Sequence, residues 1–222
     1  MPFLWLQTQG LDTTDYLSGR IHALSVAGAD NTLLISYIDE TYTNAWGGYD
    51  EYDVNNLDTV LALQALNKIN YQDQNTISSV LSFIISNQNP DGGFGLYQGD
   101  PSPGSGQAES NVYMTALVLQ TLSQFKTAYD LNTPIANAVA YLLANQNADG
   151  GWGTAGIGTG GGTSGSTVYE TALSLIALVN GNTGQGTAQP LQEAIQNAIA
   201  YLTATDLSPE KCATCNWSVG II

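Results

Sequence analysis

The segment Val112-Tyr-Met-Thr-Ala-Leu-Val-Leu-Gln-Thr-Leu122 decides the fold, because its pattern recurs along the chain. Ungapped copies occupy residues 56–66 and 168–178, and a weaker copy starts at Tyr16 with Ser18 in place of the threonine. The threonines of the three clear copies follow one another at a constant interval of 56 residues: Thr59, Thr115 and Thr171. A repeat of this length is typical of folds built from stacked helical hairpins.

The repeated segments are apolar around almost their whole circumference, which predicts helices that are buried on all sides. Between them lie segments with a single apolar stripe, such as Ile135, Ala138 and Leu142, which predict helices with one face in water. The sequence therefore predicts an all-α fold of α/α-hairpin repeats that form a partial or complete α/α toroid. Inner helices are expected near residues 14–27, 54–69, 109–127 and 165–180, and outer helices near 31–42, 73–88, 131–146 and 189–204.

A loop with two glycines and an aromatic residue follows the outer segments. It reads Gln88-Asn-Pro-Asp-Gly-Gly-Phe-Gly95 and then Gln146-Asn-Ala-Asp-Gly-Gly-Trp-Gly153. Asn44-Ala-Trp-Gly-Gly-Tyr49 is a variant in which Trp46 takes the place of the aspartate. The glycines permit a tight reversal, and the aromatic side chain anchors the loop to the helices. We assign this structural role to Gln88, Asp91, Gly92, Gly93, Phe94, Gln146, Asp149, Gly150, Gly151 and Trp152.

This loop, followed by a Thr-Ala-Leu-x-Leu helix, resembles the repeat of the squalene cyclase and protein prenyltransferase β-subunit superfamily. The resemblance covers nearly the whole chain. It implies an α/α toroid in which the inner helices surround a central cavity. About four hairpins are predicted here, fewer than such a ring contains. We therefore expect a partial toroid over residues 1–205 and an irregular tail over residues 206–222.

The residues that carry chemistry in that superfamily have no counterpart in this chain. It contains neither the Asp-x-Asp-Asp acid motif of the cyclases nor the Cys-Gly-Glu-Gln of thioester-bearing relatives. Cys212 and Cys215 supply two thiols where a structural zinc needs four ligands, so we expect free thiols or a local disulfide. The single histidine, His22, is expected to lie in the core. We predict no catalytic residue, no metal and no cofactor.

The charge of the chain limits its partners. Four basic residues oppose nineteen acidic ones, and the net charge of −15 repels nucleic acid and anionic membranes. No apolar run reaches the roughly 18 residues that span a bilayer, and the first residues contain no secretory signal. The acidic and neutral-polar composition favours an extracytoplasmic or cell-surface protein.

The rim of the expected cavity supplies the remaining candidates. Asp58 and Glu170 occupy matched positions at the starts of inner helices, where a carboxylate pair performs acid/base chemistry if it is held at the right separation. Acidic residues at helix N-termini are also stabilised simply by the helix dipole. The candidate rim residues are Asp53, Asn56, Asp58, Tyr113, Tyr169 and Glu170.

Three functions remain open on the sequence. The leading interpretation is a non-catalytic module of a larger protein, which binds an apolar or small-molecule ligand or a protein partner. The second is an isoprenoid-handling enzyme of the terpene cyclase type whose acid motif lies outside this chain. The third is a carbohydrate-active α/α ring enzyme that uses paired acids at the rim.

Overall fold

The computed structural model describes residues 13–30, 32, 35, 38, 42–48, 53–97, 108–153, 165–181 and 189–204. Within these ranges the chain is helical, and the one β-type pairing is an isolated bridge between Trp152 and Thr167. The all-α prediction is confirmed, and the helices alternate between an inner and an outer row. The inner row contains α1 (Thr14–Val26), α2 (Asn56–Lys68), α4 (Val112–Phe125) and α6 (Val168–Gly181); the outer row contains α3 (Gln74–Ser86), α5 (Asn132–Ala144) and α7 (Gln189–Ala204).

The two rows pack as the apolar patterns predict. Each inner helix contacts the next one along the row, so that α2 lies between α1 and α4, and α4 lies between α2 and α6. The outer helices α3, α5 and α7 pack behind α2, α4 and α6. Helix α4 is buried on nearly every side, whereas α5 buries only the stripe formed by Pro134, Ile135, Ala138 and Leu142. Residues 32, 35 and 38, in the segment expected to form the first outer helix, are also helical.

The N-caps of the inner helices fix the register of the repeats. The side chains of Thr13, Asn55 and Asn111 each accept a hydrogen bond from the backbone N–H three residues later, as capping residues do. Thr167 accepts from Glu170 N–H in the same way. By this register Leu17 matches the repeat threonine in α1, so the alignment that gave Ser18 this position was wrong by one residue. Ser18 instead donates its hydroxyl to the carbonyl of Thr14, 2.7 Å away.

The repeat threonines hold the aromatic loops onto the inner helices. Thr115 Oγ1 accepts a hydrogen bond from Phe94 N–H at 2.9 Å, and Thr171 Oγ1 accepts from Trp152 N–H at the same distance. Thr59 Oγ1 makes the equivalent bond with Trp46 N–H at 3.1 Å. Trp46 therefore occupies the position of the aromatic residue, and the alignment that matched it to the aspartate was wrong. The error arose because two glycines follow Trp46, whereas in the other loops they precede the aromatic residue.

In the two loops with an Asp-Gly-Gly sequence, the remaining residues are tied to the neighbouring outer helix. Gln88 Nε2 donates to the carbonyls of Gly92 and Pro134, both at 2.9 Å, and so joins its own loop to α5. Asp91 Oδ1 accepts from Gly93 N–H and from the hydroxyl of Ser110. Gln146 and Asp149 make the corresponding bonds in the next repeat, to Gly150, Ala194, Gly151 and Ser166.

The backbone also closes each loop. The N–H of Asn111 donates to the carbonyl of Phe94, and the N–H of Thr167 donates to that of Trp152. Asn55 and Trp46 form the same bond in the earlier repeat. The aromatic residue and the following N-cap are therefore joined in all three loops.

None of the helices in the described ranges is long and apolar enough to cross a membrane. The predicted tail over residues 206–222, including Cys212 and Cys215, lies outside the described residues.

Candidate binding surface on the inner helices

The inner helices present one face that the outer row does not cover. In α4 this face contains Tyr113, Leu117, Gln120 and Gln124, whose spacing of four, three and four residues places them on one side of a helix. Apart from Leu117, these side chains are half-buried or exposed, although most of α4 is fully buried. The matched positions of the four inner helices form a surface that we call the inner surface: Asp15, Gly19, His22, Leu57, Leu61, Gln64, Tyr113, Leu117, Gln120, Tyr169, Leu173 and Ile176.

The inner surface is arranged in layers that run across the four helices. The layer nearest the helix N-termini contains Asp15, Leu57, Tyr113 and Tyr169. The next layer is apolar, with leucines from α2, α4 and α6, and the layer after it is mostly polar, with His22, Gln64 and Gln120. An apolar strip beside hydrogen-bonding side chains is the combination of groups that lines sites for organic ligands.

Two tyrosines stack at the edge of this surface. The ring centroids of Tyr113 and Tyr169 lie 6.2 Å apart, and their planes differ by 30°, a geometry favoured by aromatic pairs. Burial raises the pKa of the Tyr113 hydroxyl, with further contributions from Tyr169 and Glu170. Tyr169 itself is 62% exposed. The structure therefore brings three of the candidate rim residues together, and one of them is open to solvent.

The other candidates do not join this group. Asp53 is exposed in the loop before α2. Asn56 is fully buried: its Nδ2 donates to the carbonyl of Gly95 at 2.8 Å, and its Oδ1 accepts from Asn87 Nδ2 at 2.9 Å. The assignment of Asn56 to the rim was wrong, because its side chain joins α2 to the next loop and to the end of α3.

Asp58 and Glu170 are not placed as a catalytic pair. They lie on α2 and α6, and α4 runs between these two helices. Adjacent helix axes are separated by about 8–10 Å, so carboxylates on alternate helices are held much further apart than the roughly 5–9.5 Å that glycoside hydrolysis requires. Asp58 also turns to its own helix cap, where it accepts a hydrogen bond from Asn55 Nδ2 at 2.6 Å.

The environment of Asp58 raises its pKa. Burial is the main cause and the nearby charge of Asp15 adds to it, while the hydrogen bond from Asn55 acts in the opposite direction. A carboxyl group with a raised pKa keeps its proton longer in the folded state than in the unfolded state. Proton binding by Asp58 therefore stabilises the folded protein fully at a pH below the pKa of this group in the unfolded state. This stabilisation is lost as the pH rises through the pKa of Asp58 in the folded state.

We expect Asp58→Asn to stabilise the protein at neutral pH, by an amount of the order of 1 kcal/mol. The advantage over the wild type should shrink as the pH falls, because protonation of Asp58 removes the same charge. Urea unfolding at several pH values, followed by circular dichroism, measures this difference.

Asp149→Asn is the matched control, for which we expect an effect of the opposite sign. Hydrogen bonds from Ser166 and Gly151 lower the pKa of Asp149, so the wild type should be the more stable protein at neutral pH. An equal response of the two variants to pH would contradict this account.

His22 is exposed on the inner surface. The expectation that it lies in the core was wrong, because this position of an inner helix faces away from the outer row. In the corrected register His22 matches Gln64 and Gln120, which are polar residues of the same layer.

A second open region was missed by the sequence patterns. A groove of about 970 Å³ lies between the loop at Asn89–Asp91 and α5, and Glu109 and Tyr141 also line it. Burial, followed by the charge of Asp91, raises the pKa of Tyr141 to about 12. Asp91 Oδ1 accepts hydrogen bonds from Gly93 N–H and from the Ser110 hydroxyl, so this oxygen of the carboxylate holds the loop.

Comparison with known proteins identifies relatives of this fold. The sequence profile of the A-macroglobulin TED domain matches residues 67–215. No curated protein matches the chain in sequence. Among solved structures, ent-copalyl diphosphate synthase from Streptomyces platensis superposes with a TM-score of 0.66 at 19% identity, over 88% of this chain and 35% of that one.

The type II terpene cyclase MstE from Scytonema superposes with a TM-score of 0.39 at 16% identity, over 85% of this chain and 67% of that one. This TM-score is too low to support an argument. The chain thus spans about a third of the synthase whose fold it shares. The predicted terpenoid cyclase-like superfamily is confirmed at the level of the fold, since the TED domain is a related α/α toroid.

Proposed function

Because the chain belongs to the A-macroglobulin TED domain family, yet contains no Cys-Gly-Glu-Gln segment, we propose that it is a non-catalytic binding module. Its inner surface holds an apolar or amphipathic small-molecule ligand. We further propose that the module belongs to a larger extracytoplasmic or cell-surface protein, as the acidic and neutral-polar composition suggests.

The inner surface is the observation that carries this proposal. It combines a row of leucines, an exposed tyrosine and a row of amides on helices whose backs are fixed by the outer row. A ligand that lies across the inner helices would cover the half-buried Leu61 and Leu173 and the Tyr169 ring, with the already buried Leu117 between them. Gln64, whose Nε2 donates to Thr121 Oγ1, and Gln120 would offer their remaining hydrogen-bonding groups to its polar end. Binding at this surface costs little conformational entropy, because the helices that form it are already packed against one another.

A titration of the whole chain tests the proposal. Farnesol serves as the apolar probe and maltohexaose as the neutral polar probe, and NMR of the leucine methyl groups reports the binding site. We expect saturable shifts at Leu61, Leu117 and Leu173 with farnesol, and none at Leu81 in the outer row. The absence of saturable shifts with both probes would refute the proposal, and shifts with maltohexaose alone would replace the apolar ligand by a glycan.

Tyr169→Ala should weaken farnesol binding about tenfold, which corresponds to about 1.4 kcal/mol. The side chain is mostly exposed, so its removal should leave the fold intact. Tyr16→Ala is the matched control, because Tyr16 is also partly exposed on an inner helix but lies outside the inner surface. Equal loss of affinity in both variants would indicate that binding does not take place on this surface.

The alternative function is an isoprenoid-handling enzyme, and the similarity of fold to the Streptomyces platensis synthase is the observation that favours it. Incubation of the chain with geranylgeranyl diphosphate separates the two functions. A cyclised product would establish the enzyme and refute the non-catalytic proposal, whereas binding without product would support the module. The third candidate, a carbohydrate-active enzyme with paired acids, loses its main support because α4 separates Asp58 from Glu170.

A further inference from the structure

The inner surface changes character from α1 to α6. Its residues on α1 are polar or lack a side chain, whereas the matched residues on α6 are aromatic or aliphatic. These residues are Asp15, Gly19 and His22 on α1, and Tyr169, Leu173 and Ile176 on α6. The leucines of α2 and α4 continue the apolar part towards α1. A surface that is apolar at one end and polar at the other matches an amphiphile, whose tail lies towards α6 and whose head lies at α1.

Gly19 leaves open space at the α1 end of the surface. It occupies the position that Leu61, Leu117 and Leu173 occupy in the other inner helices. A glycine inside a helix lowers stability relative to alanine. No atom lies within 4 Å of the position that a Cβ of Gly19 would take, so packing does not require a glycine here. The leucine row therefore stops one helix short and leaves room for a polar head group.

Two carboxylates lie beside this space. Asp15 is exposed one turn before Gly19 on the same side of α1, and Asp58 lies on α2, which packs against α1. Burial and then the charge of Asp15 raise the pKa of Asp58, so the two carboxylates are close enough to repel each other. Asn55 Nδ2 donates to Asp58 at 2.6 Å, but an amide brings no positive charge. A cation beside both carboxylates would relieve their repulsion.

None of the three basic residues in the described part of the chain occupies an inner-surface position at this end. Arg20 is buried, and its guanidinium carbon lies 6.0 Å from the centroid of the Tyr16 ring. Lys68 and Lys126 lie at the opposite ends of α2 and α4, where Lys126 Nζ donates to the carbonyl of Asn180 at 2.6 Å. With respect to these residues, a cationic group beside Gly19 would have to come from a ligand.

The helix dipole alone does not account for the acid at Asp58. Acidic residues near helix N-termini are stabilised by the dipole, but burial removes the hydration of a carboxylate. The matched residue of α4 is Met114, which is 2% exposed, so the fold accepts an apolar side chain at this position. The chain instead carries an ionisable group whose pKa is raised. Such perturbed groups cluster at functional sites.

We propose that the ligand of the inner surface is a cationic amphiphile, a long-chain amine whose ammonium group lies at α1 beside Asp15 and Asp58. Its tail follows the leucine row towards α6. The cationic class of ligand rests on the proposed function, because the amine would bind the same surface. An ammonium group forms charge-assisted hydrogen bonds with carboxylates, and the net charge of −15 attracts cations to the chain. Gln64, on the helix next to α1, is the amide nearer to this end.

Three ligands with the same alkyl tail test the charge of the head group: decylamine, decan-1-ol and decanoate. NMR of the leucine methyl groups measures their affinities for the full chain at about pH 8, where an alkylamine is protonated. We expect decylamine to bind about tenfold more tightly than decan-1-ol, and decanoate to bind most weakly. Salt should reduce the preference for the amine, because it screens the carboxylates.

Substitutions on α1 test the position of the head group. Asp15→Asn should remove most of the preference for decylamine and leave the affinity for decan-1-ol unchanged. Glu193→Gln is the matched control, because it removes the same charge from an exposed site on α7 in the outer row and should leave the preference intact. Gly19→Leu should fill the space for the head and also remove the preference. Its midpoint of urea unfolding should not fall, because leucine is the better helix former.

Equal affinities for decylamine and decan-1-ol would overturn the cationic class of ligand and leave the proposed function standing. An equal loss of preference in Asp15→Asn and Glu193→Gln would also overturn it, because the attraction would then come from the net charge rather than from α1. The absence of saturable shifts with all three ligands would exclude the amine, and the proposed function would fall with it if farnesol and maltohexaose gave none either.

Discussion

Replacing Trp152 with alanine is expected to lower the free energy of unfolding by about 3–5 kcal/mol, the usual cost of removing a large aromatic side chain from a core. Trp152 is fully buried, its indole N–H donates to the carbonyl of Leu142 at 2.8 Å, and its backbone is held by Thr171. The loss is a large part of the roughly 5–15 kcal/mol by which a domain is stable. Urea unfolding monitored by circular dichroism measures it.

Trp152→Phe is the matched control, because the preceding repeat carries Phe94 at this position and buries it completely. Phenylalanine keeps most of the apolar contact and loses only the hydrogen bond to Leu142. We expect a cost of about 1–3 kcal/mol for the buried carbonyl left without that donor. A loss as large as that of the alanine variant would mean that the hydrogen bond, rather than packing, holds the loop.

Replacing Gly92 with alanine should cost about 3 kcal/mol or more, for two reasons that add. Its φ of +86° lies in the left-handed region, which costs a residue with a Cβ about 1–2 kcal/mol. The new Cβ would also lie 2.5 Å from the carbonyl oxygen of Asn137 in α5. Since that oxygen belongs to the backbone, the loop and the outer helix would have to separate.

Gly28→Ala isolates the conformational part of this cost. Gly28 also has a positive φ, of +67°, but no atom lies within 4 Å of the position of its Cβ. We expect a loss of only about 1 kcal/mol, measured by the same urea unfolding. If both variants lost the same stability, the close approach between the Gly92 loop and α5 would not contribute to the fold.

The spacing of the threonines was sufficient to predict the fold, because each of the three performs the same task. Thr59, Thr115 and Thr171 all accept a hydrogen bond from the aromatic residue of a loop, so their interval reports the true repeat. The inner and outer helices followed from their apolar periodicity. These features are local or strictly repeated, and a single sequence displays both.

The errors arose where one repeat departs from the others. In the first loop the glycines follow Trp46 rather than precede it, and in α1 a leucine replaces the threonine. Asn56 looked like a rim residue because it is polar and starts an inner helix. Its role depends on Gly95 and Asn87, two contacts that are distant in sequence. The stacking of Tyr113 on Tyr169 likewise depends on the distance between two helices, which no local pattern encodes.

The closure of each loop onto itself has a consequence for how this fold tolerates change. The same hydrogen bond joins Trp46 to Asn55, Phe94 to Asn111 and Trp152 to Thr167, although 8, 16 and 14 residues lie between the bonded pairs. The fold therefore accepts at least a twofold difference in the number of residues between the two ends of that bond. Lengthening a loop costs little free energy once its ends are fixed. We therefore expect that a foreign peptide inserted between the two residues of such a bond would be displayed without disturbing the helices.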